Sequence, residues 1–131
     1  MNAKVNDNDL LILDDSLDIC LLAEQTAASC RVFSRHATSR AAFYAEYRAG
    51  APTLLLLDMM LGKEDLCEVL DFLASEHCTA PLFLMSAYDY RILDAVVKLA
   101  RNRGLHVADS FDKHDLPGRL RSNLSAYSFS A

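Results

Sequence analysis

Two aliphatic runs, Leu10-Leu11-Ile12-Leu13 and Leu54-Leu55-Leu56-Leu57, leave this chain few ways to fold. Neither alternates with polar residues, so neither suits a strand with one wet face. Four consecutive aliphatic side chains suit a strand covered on both sides, as in a parallel sheet packed between helices. Each run ends in acid: Asp14-Asp15 follows the first and Asp58 the second. In a parallel sheet these carboxylates gather at one rim, where open α/β sheets hold their ligands. Three acids brought together repel and shift one another's pKa values unless a hard cation with oxygen ligands lies among them, and magnesium is the natural occupant.

The rest of the chain repeats the same unit. Strand candidates are Leu10–Leu13, Arg31–Ser34, Thr53–Leu57, Pro81–Met85 and Leu105–Asp109. Between them lie helix candidates near Ser16–Ala28, Ser39–Ala49, Asp65–Ser75, Asp89–Arg103 and Leu116–Ser125. Gly50 and Gly104 stand where left-handed helix C-caps belong, Asp89 and Asp115 can cap N-termini, and Pro117 is tolerable in a first turn. In the fourth helix Leu93, Val96, Val97 and Ala100 follow the i, i+3, i+4, i+7 spacing of a core-facing stripe, which Ile92 and Leu99 broaden. Strict alternation with right-handed crossovers predicts an α/β fold with a parallel sheet covered by helices on both faces, and among doubly wound orders the five-stranded 2-1-3-4-5 is the economical choice. That order sets the first strand beside the third and makes Asp14, Asp15 and Asp58 neighbours.

Length and composition bound the rest. At 131 residues the chain is one domain in size, read as a polar leader over 1–9, the folded domain over 10–125 and a tail or start of a linker over 126–131. A hydrophobic share of 52% with 24% charged residues excludes the disorder class, and a net charge of -5 gives no electrostatic footprint for nucleic acid. No apolar stretch approaches the about 20 residues needed to span a bilayer. Cys20, Cys30, Cys67 and Cys78 form neither a CxxC pair nor a zinc spacing, which predicts packing roles and a reducing, cytoplasmic setting. His36, His77, His106 and His114 lack ligand spacing and read as surface or boundary residues.

With the expected order, Ser86 arrives at the acidic rim from the end of the fourth strand and Lys113 from the turn after the fifth. A metal held by two acids, one further carboxylate, a hydroxyl and an ammonium form a set suited to moving a phosphoryl group onto that carboxylate: metal and lysine neutralise the transferring oxygens, the hydroxyl donates to one, and the aspartate attacks in line.

In motif and order, from Leu10 to Leu124, the chain resembles the receiver domain of two-component response regulators, of chemotaxis-receiver type and flavodoxin-like fold. The carriers of the resemblance are the acidic pair closing strand one, Asp58 closing strand three, Ser86-Ala87 closing strand four and Lys113 after strand five. It implies that Asp58 is the phosphoacceptor and that Asp14 and Asp15 position Mg2+ with help from the Met60 backbone carbonyl. It further implies that Ser86 and Lys113 bind the phosphoryl oxygens. The partner implied is a sensor histidine kinase or phosphotransfer protein, and the surface near the fourth helix would control an output or pair two copies as a homodimer. The segment Leu82–Lys113, with Asp89-Tyr90-Arg91-Ile92-Leu93-Asp94-Ala95 and Arg103-Gly104-Leu105, is most similar to receivers fused to cyclic-di-GMP phosphodiesterase outputs.

Three positions depart from the family pattern. His114 follows the lysine where the family usually has proline, so a turn that is looser or differently closed is expected. Ser110 stands where a rotating aromatic switch normally sits, with Phe111 one step later. Gly62 replaces a frequent proline and gives Leu61-Gly62-Lys63 more backbone freedom, so that loop is expected to be mobile. Ser110 and His114 motivate a second reading, a degenerate receiver that binds proteins without phosphorylation. A third, an aspartyl phosphohydrolase, would need an acid two residues after the nucleophile to protonate the leaving group. Met60 stands there, so the expectation is a signalling protein that catalyses only its own phosphorylation and dephosphorylation. Met60 and Tyr88 flank the expected pocket and either screen it from water or simply pack.

Overall fold

The aliphatic runs do become the centre of a sheet with both faces covered. A computed structural model describes residues 8–59, 63–87 and 90–128. Strands β1 (Asp9–Leu13), β2 (Phe33–Ala37), β3 (Leu54–Asp58), β4 (Leu82–Ser86) and β5 (Val107–Asp112) pair in the order β2-β1-β3-β4-β5, every pair parallel. Helices α1 (Leu17–Ser29), α2 (Arg40–Ala49), α3 (Lys63–Ser75), α4 (Tyr90–Asn102) and α5 (Leu116–Ser128) connect or follow them, with a short 3-10 turn over Lys113–Asp115 before α5. Among the described residues no helix is long and apolar enough to cross a membrane.

Period-two alternation divides the central strands between two cores. Leu11, Leu13, Leu55, Leu57, Leu82 and Leu84 face one layer with α2, α3 and α4 residues such as Phe43, Leu70 and Val97. Leu10, Ile12, Leu54, Leu56, Phe83 and Met85 face the other with Ala23, Leu120 and Leu124 of α1 and α5. Each fully buried aliphatic side chain contributes about 1.5 to 3 kcal/mol, so the three middle strands form the stable part of the molecule. On α4 the expected stripe splits: Leu93, Val97 and Ala100 are buried, Val96 and Leu99 pack at its margin, and Ile92 is exposed.

Edge strands moved most from expectation. Arg31 is no strand residue; its φ of 59° is left-handed, and it closes α1 by donating its N–H to Ala28 O while Val32 N–H reaches Ala27 O. This is a Schellman closure, with buried Val32 as the apolar residue just beyond it. His77 (φ 55°) closes α3 and Gly104 (φ 80°) closes α4 the same way, followed by buried Cys78 and Leu105. Leu105, expected to open the fifth strand, therefore ends a helix, and β5 starts two residues later. Gly50, expected as a left-handed cap, is extended at φ −174°. Carbonyls at that helix end are met by the Arg35 guanidinium, which donates to Glu46 O and Gly50 O and also pairs with Asp9 at 2.7 Å. Pro117 lies in the first turn of α5 as expected, whereas Asp89, Met60, Tyr88 and the Leu61-Gly62 loop fall outside the described residues.

A register shift between Leu82 and Phe83 inserts one extra residue in β5: Val107 pairs with Leu82, but Asp109 pairs with Phe83. Such a bulge exchanges the faces of everything that follows it. Val107 packs in the α2–α4 core and Phe111 in the α1–α5 core, although four residues apart in an unbroken strand they would share a face.

Candidate functional site

Strand ends bring the chemistry together. Leu13 is in register with Leu57, so Asp14, the next residue after β1, comes level with Asp58 at the end of β3. Asp14 N–H donates to Ala37 O at 3.2 Å, and its Oδ1 accepts from Ser16 N–H at 2.8 Å. Ser16 then caps α1 by accepting from Ile19 N–H. That local pattern turns Asp14 inward, where it is 0% exposed, and leaves Asp15 exposed. Asp58 is 0% exposed as well. Ser86, buried at the end of β4, lies one residue beyond Met85, the partner of Asp58, and faces Asp112 across the ladder.

Lys113 closes the set. Its Nζ is 2.7 Å from Asp14 Oδ2 and 3.0 Å from Asp58 Oδ2, with 13% of its side chain exposed. Burial pushes the ammonium's pKa down, but the contacts and charges of Asp14 and Asp58 outweigh it, and the net displacement is upward. The lysine is therefore charged at neutral pH. It meets Asp14 Oδ2 as a charge contact rather than as an aligned hydrogen bond. One oxygen from each of Asp14, Asp15 and Asp58 lies within 4.8 Å of the others. Three carboxylates, two of them buried, make the all-oxygen donor set that a hard divalent cation takes, so the residues fit such an ion.

The turn carrying Lys113 is the differently closed form of the two expected. The 3-10 turn before α5 is capped by Asp112, whose Oδ1 accepts from His114 N–H at 2.8 Å and lies 2.6 Å from His114 Nδ1. These hydrogen bonds and the imidazole hold the Asp112 carboxyl below its usual range. The turn is closed by a side chain rather than loosened. An Asp at a strand end two residues before a free N–H is a recognisable Asx turn, and that signal could have found it. Ser110 pairs with Leu84 and so lies on the α4 face, half-buried, while Phe111 is buried on the opposite face against α5. Phe111 cannot stand in for an aromatic on the α4 side.

Cys20, one helical turn into α1, sits behind the site. Its thiol approaches Asp14 O at 3.4 Å, and burial first, then the charges of Asp14 and Glu24, push its pKa up to about 11. It is a protonated packing residue. All four cysteines are free, in keeping with their spacing.

A strand order of 2-1-3-4-5 with acids at the ends of β1 and β3 and a lysine after β5 decides the architecture. The chain has the fold of a response-regulator receiver domain. It is similar to the receiver domain of NtrX from Brucella abortus (25% identity over 94% of this chain and 100% of that one, TM-score 0.74). A response regulator from Thermotoga maritima shares 17% identity over 94% and 98% of the two chains at a TM-score of 0.77. A CheY-like receiver domain protein from Methanospirillum hungatei shares 17% identity over 95% and 98% at 0.70. No protein-family model and no curated protein matches the chain. The receiver fold, with this acidic cluster, is a framework for a phosphoacceptor response regulator.

Proposed function

We propose that this receiver is a phosphorylation-controlled switch in which Asp58 accepts a phosphoryl group from a phosphohistidine on a sensor histidine kinase or phosphotransfer protein. The observation that carries the reading is the Lys113 ammonium between two fully buried carboxylates at adjacent strand ends. An Asp58 oxygen attacks phosphorus as the phosphorus–nitrogen bond breaks, the electron pair going to nitrogen; with the other ring nitrogen of the phosphohistidine protonated, an aspartyl phosphate is left on this chain and a neutral imidazole on the donor. Lys113 gives up its contact with Asp58 Oδ2 to neutralise a phosphoryl oxygen, and the Ser86 hydroxyl donates to another. Asp14, Asp15 and Asp58 would hold Mg2+, with the Met60 carbonyl as a further ligand by family resemblance. When bound, the ion supplies charge neutralisation for the transferring group.

The added charge, close to −2, draws Ser86 and Lys113 toward Asp58 and alters the surface near α4, where Ile92 is exposed to a target or a second copy. The protein then catalyses only its own phosphorylation and dephosphorylation. Incubation with acetyl phosphate and magnesium is expected to give a single phosphoryl adduct, stable to acid and labile to base, absent from Asp58→Asn and from metal-free samples. An unmodified wild-type chain under these conditions would overturn the proposal.

A further inference from the structure

The lysine is only as well placed as the turn that carries it, and that turn is held in an individual way. Asp112 is the last ladder residue of β5, in register with Ser86. Its side chain reaches forward over Lys113 to the His114 N–H and imidazole. On the other side Lys113 O accepts the N–H of Leu116, which is fully buried in the α1–α5 core. The Lys113 backbone is therefore fixed by the sheet before it, by Leu116 after it, and by one side-chain clasp across it. The clasp's two side chains are half and four-fifths exposed, so it contributes little to either core.

We propose that Asp112 is a positioning residue: its carboxylate oxygen, by accepting the His114 N–H, aims Lys113 at the Asp14–Asp58 pair and so sets how well the site grips a phosphoryl group. The last clause rests on the phosphoacceptor reading; the aiming of the lysine does not. An oxygen acceptor is what the clasp needs, so asparagine should replace aspartate while alanine should not.

The test uses the full chain as wild type, D112A and D112N. In proton–nitrogen spectra the Lys113 ammonium, shielded between two carboxylates, is expected to give a cross-peak assigned by its loss in K113M. D112A should lose that cross-peak and D112N keep it. Beryllofluoride affinity, read by fluorine NMR with magnesium present, should fall roughly tenfold in D112A and recover in D112N. The thermal midpoint should fall in D112A, though by less than in K113M, and stay near wild type in D112N, while magnesium affinity should fall in neither. A D112A protein that keeps the cross-peak overturns the inference, as does a D112N protein that fails to restore it. A D112A protein that melts below K113M and also loses magnesium affinity would show a general structural role and overturn it too. If wild type takes no beryllofluoride while the cross-peak pattern holds, the phosphoacceptor reading fails and the aiming role stands.

Discussion

Replacing Lys113 by methionine keeps a long unbranched stem and removes the charge between two carboxylates that have no contact with bulk water. At the effective dielectric of about 20 that describes protein sites, unit charges at 2.7 Å and 3.0 Å attract by about 6 and 5.5 kcal/mol. Much of this is offset in the wild type by the cost of taking the ammonium out of water, a cost the variant also escapes. What remains unopposed is the repulsion between Asp14 and Asp58, whose oxygens lie within 4.8 Å, about 3.5 kcal/mol on the same scale. Water entering beside exposed Asp15, or a proton taken by one acid, relieves part of it. A net loss of about 3 kcal/mol follows, at the low end of what breaking a buried pair costs. For a domain of this size that lowers the thermal midpoint by about 10 °C. Circular dichroism melts in EDTA should show it. Millimolar magnesium should stabilise K113M more than wild type, because the cation replaces the missing charge. The double variant K113M/D58N, with one acid neutralised, should recover more than half of the loss in EDTA. An unchanged midpoint for K113M in EDTA, or no recovery in the double variant, would refute the reasoning.

Two further outcomes are expected. Because the folded pKa of Lys113 lies above its ordinary value of 10.5, its stabilisation is fully present below about pH 10.5 and is lost as pH rises through the higher folded value. The stability gap between wild type and K113M in urea titrations should hold from neutral pH to about 10 and narrow above that; a gap already closed at pH 8 would contradict the ion contacts. His77→Gly, at an exposed left-handed residue, should raise stability by about 1 kcal/mol, since glycine adopts φ 55° without a Cβ penalty. Chemical denaturation checks this, and a destabilised variant would contradict it.

The alternation of strands and helices and the acids at the strand ends were legible because both rest on local, repetitive signals. Leu10–Leu13 and Leu54–Leu57 declare two-sided burial by lacking alternation, and Asp14, Asp15 and Asp58 follow them directly. Edge strands carried no such signal. Phe33–Ala37 and Val107–Asp112 are half polar, so their limits were set by the helix closures before them, at Gly104 before β5 and, before β2, at Arg31 in a conformation normally announced by glycine. The bulge in β5 has no marker in Val107-Ala108-Asp109 at all, yet it decides that Phe111 packs toward α5 and Ser110 toward α4.

By itself, then, the order of residues determined which groups could meet: short-range patterns of burial and capping dictate a parallel α/β alternation, and that alternation places three acids, a serine and a lysine at one edge. Only the tertiary structure decided which of the adjacent acids turns inward, where the fifth strand changes face, and that Asp112 clasps the lysine's turn. These outcomes depend on contacts across the sheet rim and between neighbouring strands and helices, and such contacts exist only once distant segments have packed.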